Sequence, residues 1–323
     1  MPEISVLIPS YNRVHLLPRA LDSIWRQEFD DLEVLIVDDG STDGTIACLD
    51  ELKSQRPELR YVIHDVNKGE AAARNTALRE AKGTYVAYLD SDDVWLPGKL
   101  KAQIHHLTSV SPEAAGVVTA CYMVDGETST LLDDWHFHEP ITAQRVLVKG
   151  CGLNLNSTMM MRRETALAAG PYDETLRLYV DIDWVLRFLA EGRIDVISEP
   201  FALYNKAPWR DGRLVEQAAD VFRQKHAAAY SALSGADLRR AKATLAWNSA
   251  ICYRNEGDKW NYLRQASKAL ALWPRVPVGN YLAVPDMFLG GRLLPVLRGA
   301  KSRLSRNGPE PTLPAKFDNH RGE

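Results

Sequence analysis

A chain of 323 residues, 46% apolar and 25% charged, has the size and composition of one large globular domain or of one domain with a smaller appendage. Its formal net charge of −3 gives no global reason to bind nucleic acid. No uncharged apolar run reaches the ~18 residues of a membrane-spanning helix, and "MPEISVLIPSYNR" begins a strand without the basic region of a signal peptide, so the expected compartment is the cytoplasm.

Along the chain, strands and helices alternate. Residues 4–9, "ISVLIP", form a β-branched apolar run, followed by a helical pattern over residues 16–25. "LEVLIVDDGS" is a second apolar run, and residues 45–52 read as a helix after a turn rich in Ser, Thr and Asp. "RYVIH" is a third strand, residues 70–81 an Ala-rich helix, and "TYVAYL" a fourth strand. Continuously apolar strands alternating with helices predict a mostly parallel sheet covered on both faces, an α/β fold. Ligands bind such sheets at the carboxyl ends of the strands. The densest polar clusters fall there: Pro9-Ser10-Tyr11-Asn12, Asp38-Asp39-Gly40-Ser41 and Asp90-Ser91-Asp92-Asp93.

Beyond residue 110 the pattern loosens. "GVVTACYMV" reads as a strand, residues 125–152 as loop or hairpin, residues 162–169 and 181–190 as helices, and "RIDVIS" and "FALYN" as short strands. From residue 213 the chain turns helical. A break at Gly257-Asp258 splits "AICYRNEGDKWNYLRQASKALALWP" into a pair resembling one tetratricopeptide unit. These helices are expected to pack on the α/β domain or on a second protomer, giving a homodimer. "GGRLLPVLRGAKSRLSR" combines basic and apolar residues, as a helix lying on an anionic membrane surface does. Residues 305–323, with Pro309, Pro311 and Pro314 among charges, have a disordered composition. The cysteines, Cys48, Cys121, Cys151 and Cys252, show no metal-binding spacing and read as buried free thiols.

The polar clusters carry the chemistry. A capped turn explains Ser41, Thr42 or Asp43 but not Asp38 and Asp39, which can accept from a nucleobase N–H or a ribose hydroxyl. Arg74, one turn into an Ala-rich helix, can reach a base or phosphate with its planar fork; the competing reading is a solvent-exposed helix arginine. Alternate spacing at Asp90-x-Asp92 places two carboxylates on one side of an extended chain, where hard oxygens suit Mg²⁺ or Mn²⁺ bridging a diphosphate. A metal-free acidic turn is the alternative. His136 and His138 lack a third ligand of matching spacing and read as exposed or acceptor-side histidines.

"SVLIPSYNR…VLIVDDGSTDGT…NKGEAAARNTAL…AKGTYVAYLDSDDVWLPGKL" resembles the nucleotide-binding half of family 2 glycosyltransferases, which have the GT-A fold. The resemblance runs from residue 4 to about 107, weakens to about 205 and is absent over the C-terminal third. It implies that Pro9, Tyr11, Asp38, Asp39 and Arg74 hold the nucleoside, and that Asp90, Ser91 and Asp92 form the DxD element, with Asp90 and Asp92 on ribose and metal-diphosphate. It further implies inversion at the anomeric carbon, which needs a base for the acceptor hydroxyl. In "YVDIDWVLRF" Asp181 falls on the family's base position, with Asp183 as substitute candidate because Val180 stands where the family often has Glu. A helix-capping Asp181 is the competing reading.

The expectation is therefore a catalytic domain over residues 1–212, its nucleotide half at 1–110 and acceptor half at 111–212, then helices at 213–304. The function expected is transfer of a sugar from a nucleoside diphosphate, a UDP-sugar, to a cell-surface glycan or lipid-linked acceptor. The alternative is a degenerate relative that binds donor or glycan without turnover.

Overall fold

In the computed structural model, residues 1–125, 131–135, 139–149, 156–206 and 211–274 are described. His136, His138, Cys151, the basic segment over residues 290–306 and the tail at 305–323 lie outside them. The chain divides into two compact units, Met1–Ala207 and Pro208–Glu323.

In the first unit, strands β1 (Ile4–Ser10), β2 (Leu32–Asp38), β3 (Leu59–Ile63) and β4 (Tyr85–Tyr88) alternate with helices α1 (Leu17–Trp25), α2 (Thr45–Gln55) and α3 (Glu70–Glu80). Every residue of β1 is buried, as a strand covered on both faces must be. β1 pairs in parallel with β2, Ile4 opposite Leu32 and Ser10 opposite Asp38, and with β4 on its other side. β3 extends β2 outward, also in parallel. The chain thus builds outward from β1 and then returns to its opposite edge. The crevice at that reversal is where open α/β sheets take their ligands. Gly83 lets the approach to β4 lie against β1, since a Cβ there would sit 2.5 Å from Ser5 N.

The rest of the unit is mixed. A two-residue strand β5 (Val94–Trp95), helix α4 (Lys99–His105) and a π-helical turn (His106–Val110) precede β6 (Gly116–Asp125) and β7 (Leu131–Trp135). Then follow α5 (Ala143–Lys149), β8 (Met159–Arg162), α6 (Arg163–Ala168), α7 (Val180–Glu191) and β9 (Ile194–Lys206). The nine strands run β3-β2-β1-β4-β8-β6-β9-β5, with β7 beside β6. β8 is antiparallel to both β4 and β6, whereas β6 and β9 are parallel, so parallel pairing dominates only in the first half. The two short strands expected over residues 193–205 are one strand with register shifts against β6. Residues 125–152, expected as loop or hairpin, contain β7, which pairs antiparallel with β6, and the additional helix α5.

The second unit holds α8 (Gly212–Lys225), α9 (Ala227–Ser231), α10 (Gly235–Glu256) and α11 (Lys259–Leu272). The Gly257-Asp258 break works as its residues dictate: Gly257 closes α10 with φ 80°, and Asp258 caps α11 by accepting from Asn261 N–H at 3.0 Å. Ala243, Ala246, Trp247, Ala250, Tyr253, Tyr262, Ala266 and Ala269 form the unit's core. Among the described residues no helix is long and apolar enough to cross a membrane, and Cys48, Cys121 and Cys252 are free thiols.

Candidate active site

The loops after β1, β2 and β4 meet at the carboxyl edge of the sheet, and the chain ties them together. Asn12, at φ 52°, accepts from Thr42 N–H through Oδ1 (2.8 Å) while its own N–H donates to Ser41 Oγ (2.8 Å). Pro9 is buried opposite Val37, and Tyr11 stands exposed on the rim at 43%. Gly40, at φ 77°, turns the chain after the acidic pair where a Cβ would meet the Val66 backbone at 2.9 Å.

The acidic pair divides its labour. Asp39 is buried and spent on the fold: Oδ1 meets His64 Nδ1 (2.7 Å) and Lys68 N–H (2.9 Å), and Oδ2 takes Gly69 N–H (2.7 Å). These bonds fix the turn that launches α3. Asp38 is also buried, and its Oδ2 accepts from Ser41 N–H (2.9 Å). Its Oδ1 has no hydrogen-bond partner. A buried oxygen left unpaired is destabilising by about 1–3 kcal/mol, so Asp38 is the member of the pair with capacity for a ligand.

Arg74 is 1% exposed, not the solvent-facing arginine of the competing reading. Small residues make this possible, since Ala71, Ala72, Ala73 and Ala77 let α3 lie close over the sheet. Nε donates to Glu70 Oε1 (3.0 Å) and Nη2 to Asp90 Oδ1 (2.6 Å), while Nη1 has no partner. The rings of Tyr88 and Tyr172 lie 5.2 and 5.9 Å from the guanidinium carbon. Burial alone would depress its pKa, but the charges of Asp90 and Glu70 raise it well above the usual value.

The acidic cluster is a turn, closed by Asp93 N–H donating to the Asp90 carbonyl (3.0 Å), and not the extended segment its spacing suggested. Burial lifts the Asp90 carboxyl to about 6 against the pull of Arg74, with Glu70 and Asp92 adding to the rise. Ser91 is buried in the turn. The half-buried Asp92 carboxylate makes no hydrogen bond among the described residues. Asp93 is fully buried, and burial with the charges of Asp90 and Asp92 raises its pKa well above normal.

Asp181 opens α7, whose capping residue Tyr179 takes a left-handed φ of 63°. The Asp181 carboxylate is half-buried, and burial raises its pKa, with Glu70 adding and the Ile182 amide and Arg74 opposing. It therefore shares the electrostatic field of the Glu70–Arg74 pair. Asp183 differs: it is 0% exposed and paired with Arg187, whose Nη2 lies 3.1 Å from Oδ2. Arg187 also donates to the carbonyls of Ala169 and Pro171, so this pair braces the turn before Tyr172.

Three neighbours escaped the sequence reading. Glu70 shares Arg74 with Asp90, Tyr172 stacks on Trp184 with centroids 4.9 Å apart, and Tyr204 lies in the field of Asp93, Asp90, Asp181 and Asp92. Glu70 carried one local signal, its i, i+4 spacing to Arg74. Among the described residues no group of three or more His, Cys, Asp or Glu gathers as a metal cage. Asp90 and Asp92 offer hard carboxylate oxygens, the donor type that suits Mg²⁺ or Mn²⁺.

The model of glycosyl transferase family 2 matches residues 5–167. The putative teichuronic acid biosynthesis glycosyltransferase TuaG of Bacillus subtilis is 33% identical over 59% of this chain and 73% of its own length. The glucosyltransferase WfgD of Escherichia coli, named as acting from UDP-Glc on alpha-D-GlcNAc-diphosphoundecaprenol, is 39% identical over 31% of this chain. That match spans 39% of the WfgD sequence. The mannosyltransferase PcManGT of Pyrobaculum calidifontis, solved with GDP-Man and Mn2+, superimposes with TM-score 0.54 at 18% identity, over 95% of this chain and 88% of that one. The chain belongs to glycosyltransferase family 2 and has the GT-A fold.

Proposed function

We propose that this chain is an inverting, metal-dependent glycosyltransferase that moves a sugar from a UDP-sugar onto a lipid-linked or cell-surface glycan acceptor. The observation that carries the reading is the set of ligand-ready groups at one sheet edge: Asp38 Oδ1 and Arg74 Nη1, buried without partners, and the Asp92 carboxylate, which makes no hydrogen bond among the described residues. WfgD, named for UDP-Glc and a diphosphoundecaprenol acceptor, supports the donor and acceptor classes, and PcManGT with Mn2+ supports the metal.

On this reading Asp38 accepts from the base or ribose, Tyr11 covers the base from the rim, and Arg74 turns its free Nη1 to the donor. Asp39 acts by holding the Lys68–Gly69 turn. Asp90 and Asp92 would hold a Mn²⁺ or Mg²⁺ ion, which when bound neutralises charge on the departing diphosphate. Asp181 takes the acceptor proton; a carboxylate with a raised pKa, outside the nucleotide contacts, suits a base. Asp183 is spent on Arg187 and positions the turn instead.

The direct test is a panel of nucleotide-sugars, read for binding and slow hydrolysis with Mn²⁺ and with chelator. Metal-stimulated hydrolysis of one UDP-sugar is the expected result. Binding of none of the panel would overturn the reading.

A further inference from the structure

The acidic turn has little to hold itself together. Asp90, Asp92 and Asp93 repel one another, and one internal hydrogen bond closes the turn. Arg74 pairs with the Asp90 carboxylate, Arg19 Nη2 donates to the Asp92 carbonyl at 2.8 Å, and the remaining support comes from two distant segments. Ser157 Oγ donates to Asp93 Oδ2 (2.5 Å) and accepts from Asp90 N–H (3.1 Å), so one hydroxyl bridges both ends of the turn. From the end of β9, Asn205 N–H donates to Asp93 Oδ1 (2.8 Å) and Asn205 Nδ2 donates to the Asp92 carbonyl. Ser157 and Asp93 are both 0% exposed. Ser157 is held in turn by Trp95, whose Nε1 donates to its carbonyl at 2.7 Å. The next carbonyl, Thr158, takes Gln103 Nε2 at 2.8 Å, and buried Lys99 donates to Gln103 Oε1 at 2.7 Å.

If this network served stability alone, it would be a poor choice. A buried ionisable group is disfavoured by desolvation, and well-packed apolar residues of similar volume often do as well or better. What the polar network adds is direction. It fixes the backbone of Asp90 and Asp92 and leaves the Asp92 carboxylate without a hydrogen bond among the described residues. Groups of this kind orient metal ligands without touching the metal.

We propose that Asp93, Ser157 and Asn205 are positioning residues, a clamp that sets the Asp90 and Asp92 carboxylates at the spacing a divalent cation and a diphosphate require. The inference rests on the reading of Asp90 and Asp92 as the metal-diphosphate pair. It also means that two segments after residue 150 shape the donor site.

The test measures UDP affinity calorimetrically with Mn²⁺ and with chelator, in the parent protein and in Ser157→Ala, Ser157→Thr and Asn205→Ala, with melting temperatures alongside. Ser157→Ala should lose about 10- to 100-fold of the Mn²⁺-dependent gain, the range found when partners behind metal ligands are removed. Its metal-free UDP affinity should match the parent, and Ser157→Thr, which keeps the hydroxyl, should restore the gain. Asn205→Ala removes one side-chain donor while keeping the backbone bond to Asp93, so it carries the test if Ser157→Ala fails to fold. Parental gain in both alanine variants overturns the clamp, as does an equal loss with and without metal. A parent protein that binds UDP with no help from Mn²⁺ overturns the metal reading itself, and the clamp with it.

Discussion

Arg74 and Asp90 form an ion pair at the carboxyl edge of the sheet, Nη2 to Oδ1 at 2.6 Å, with the guanidinium withdrawn from solvent. The pair joins α3 to the acidic turn and leaves Nη1 buried without a hydrogen-bond partner. A planar fork reaches Glu70 and Asp90 from two separate nitrogens and keeps a third for a ligand, a fixed geometry that a compact ammonium does not reproduce. Arg74→Lys should therefore weaken UDP binding by about tenfold or more, the worth of one or two charged hydrogen bonds. A dissociation constant equal to that of the parent would remove Arg74 from the donor site.

Asp92 is the carboxylate of the turn with no hydrogen bond to lose among the described residues, so its replacement should cost the fold little. Asp92→Asn should leave the melting temperature unchanged and remove most of the Mn²⁺-dependent gain in nucleotide affinity. UDP binding that ignores both Mn²⁺ and this substitution would contradict the metal assignment.

How far the sequence foretold this site depends on the range of each interaction. The loops bearing Asp38, Arg74, Asp90 and Asp92 follow apolar runs with a clear period, and a parallel sheet brings such loops to one edge whatever their details. Pairing choices beyond β4 are long-range and left no periodic trace, so β5 and the antiparallel entry of β8 went unread. Within the site, the sequence could not separate Asp38 from Asp39, because the difference lies in which one meets His64 and the Lys68–Gly69 amides. Likewise Ser157 and Asn205 are ordinary residues in sequence, and become notable only where they reach the acidic turn.

Away from the site, Asp195 predicts how the fold responds to acid. Burial would raise its pKa, but hydrogen bonds from Arg193, Ser111 and His106, with the Arg193 charge, hold it at about 2. A folded pKa below the unfolded value means stability that is full above about pH 4 and is lost as pH falls towards 2. Its side chain is 20% exposed, so the contribution is on the order of 1–2 kcal/mol. Asp195→Asn should lower the melting temperature at pH 7, and the gap from the parent should narrow steadily between pH 4 and pH 2. A gap that stays constant over that window would show that Asp195 contributes by packing and not by charge.

Chemistry and bracing fall to different carboxylates at α7 on the proposed reading. Asp181 and Asp183 are two residues apart, yet one is half-buried in the field of Glu70 and Arg74 while the other is sealed against Arg187. Asp181→Asn keeps the shape at the helix start and abolishes basicity. Sugar transfer should fall by roughly 10²–10⁴-fold, the usual worth of a positioned base. UDP affinity and melting temperature should stay at parental values. Asp183→Asn removes the charge that holds Arg187 against the Ala169 and Pro171 carbonyls. It should lower stability by on the order of 1–3 kcal/mol and reduce transfer less than the Asp181 change does. The two variants thus fail in different measurements, one in turnover and the other in melting. If Asp183→Asn instead shows the larger loss of transfer with an unmoved melting temperature, the base is Asp183. If neither variant slows transfer, the proton leaves by a group outside α7.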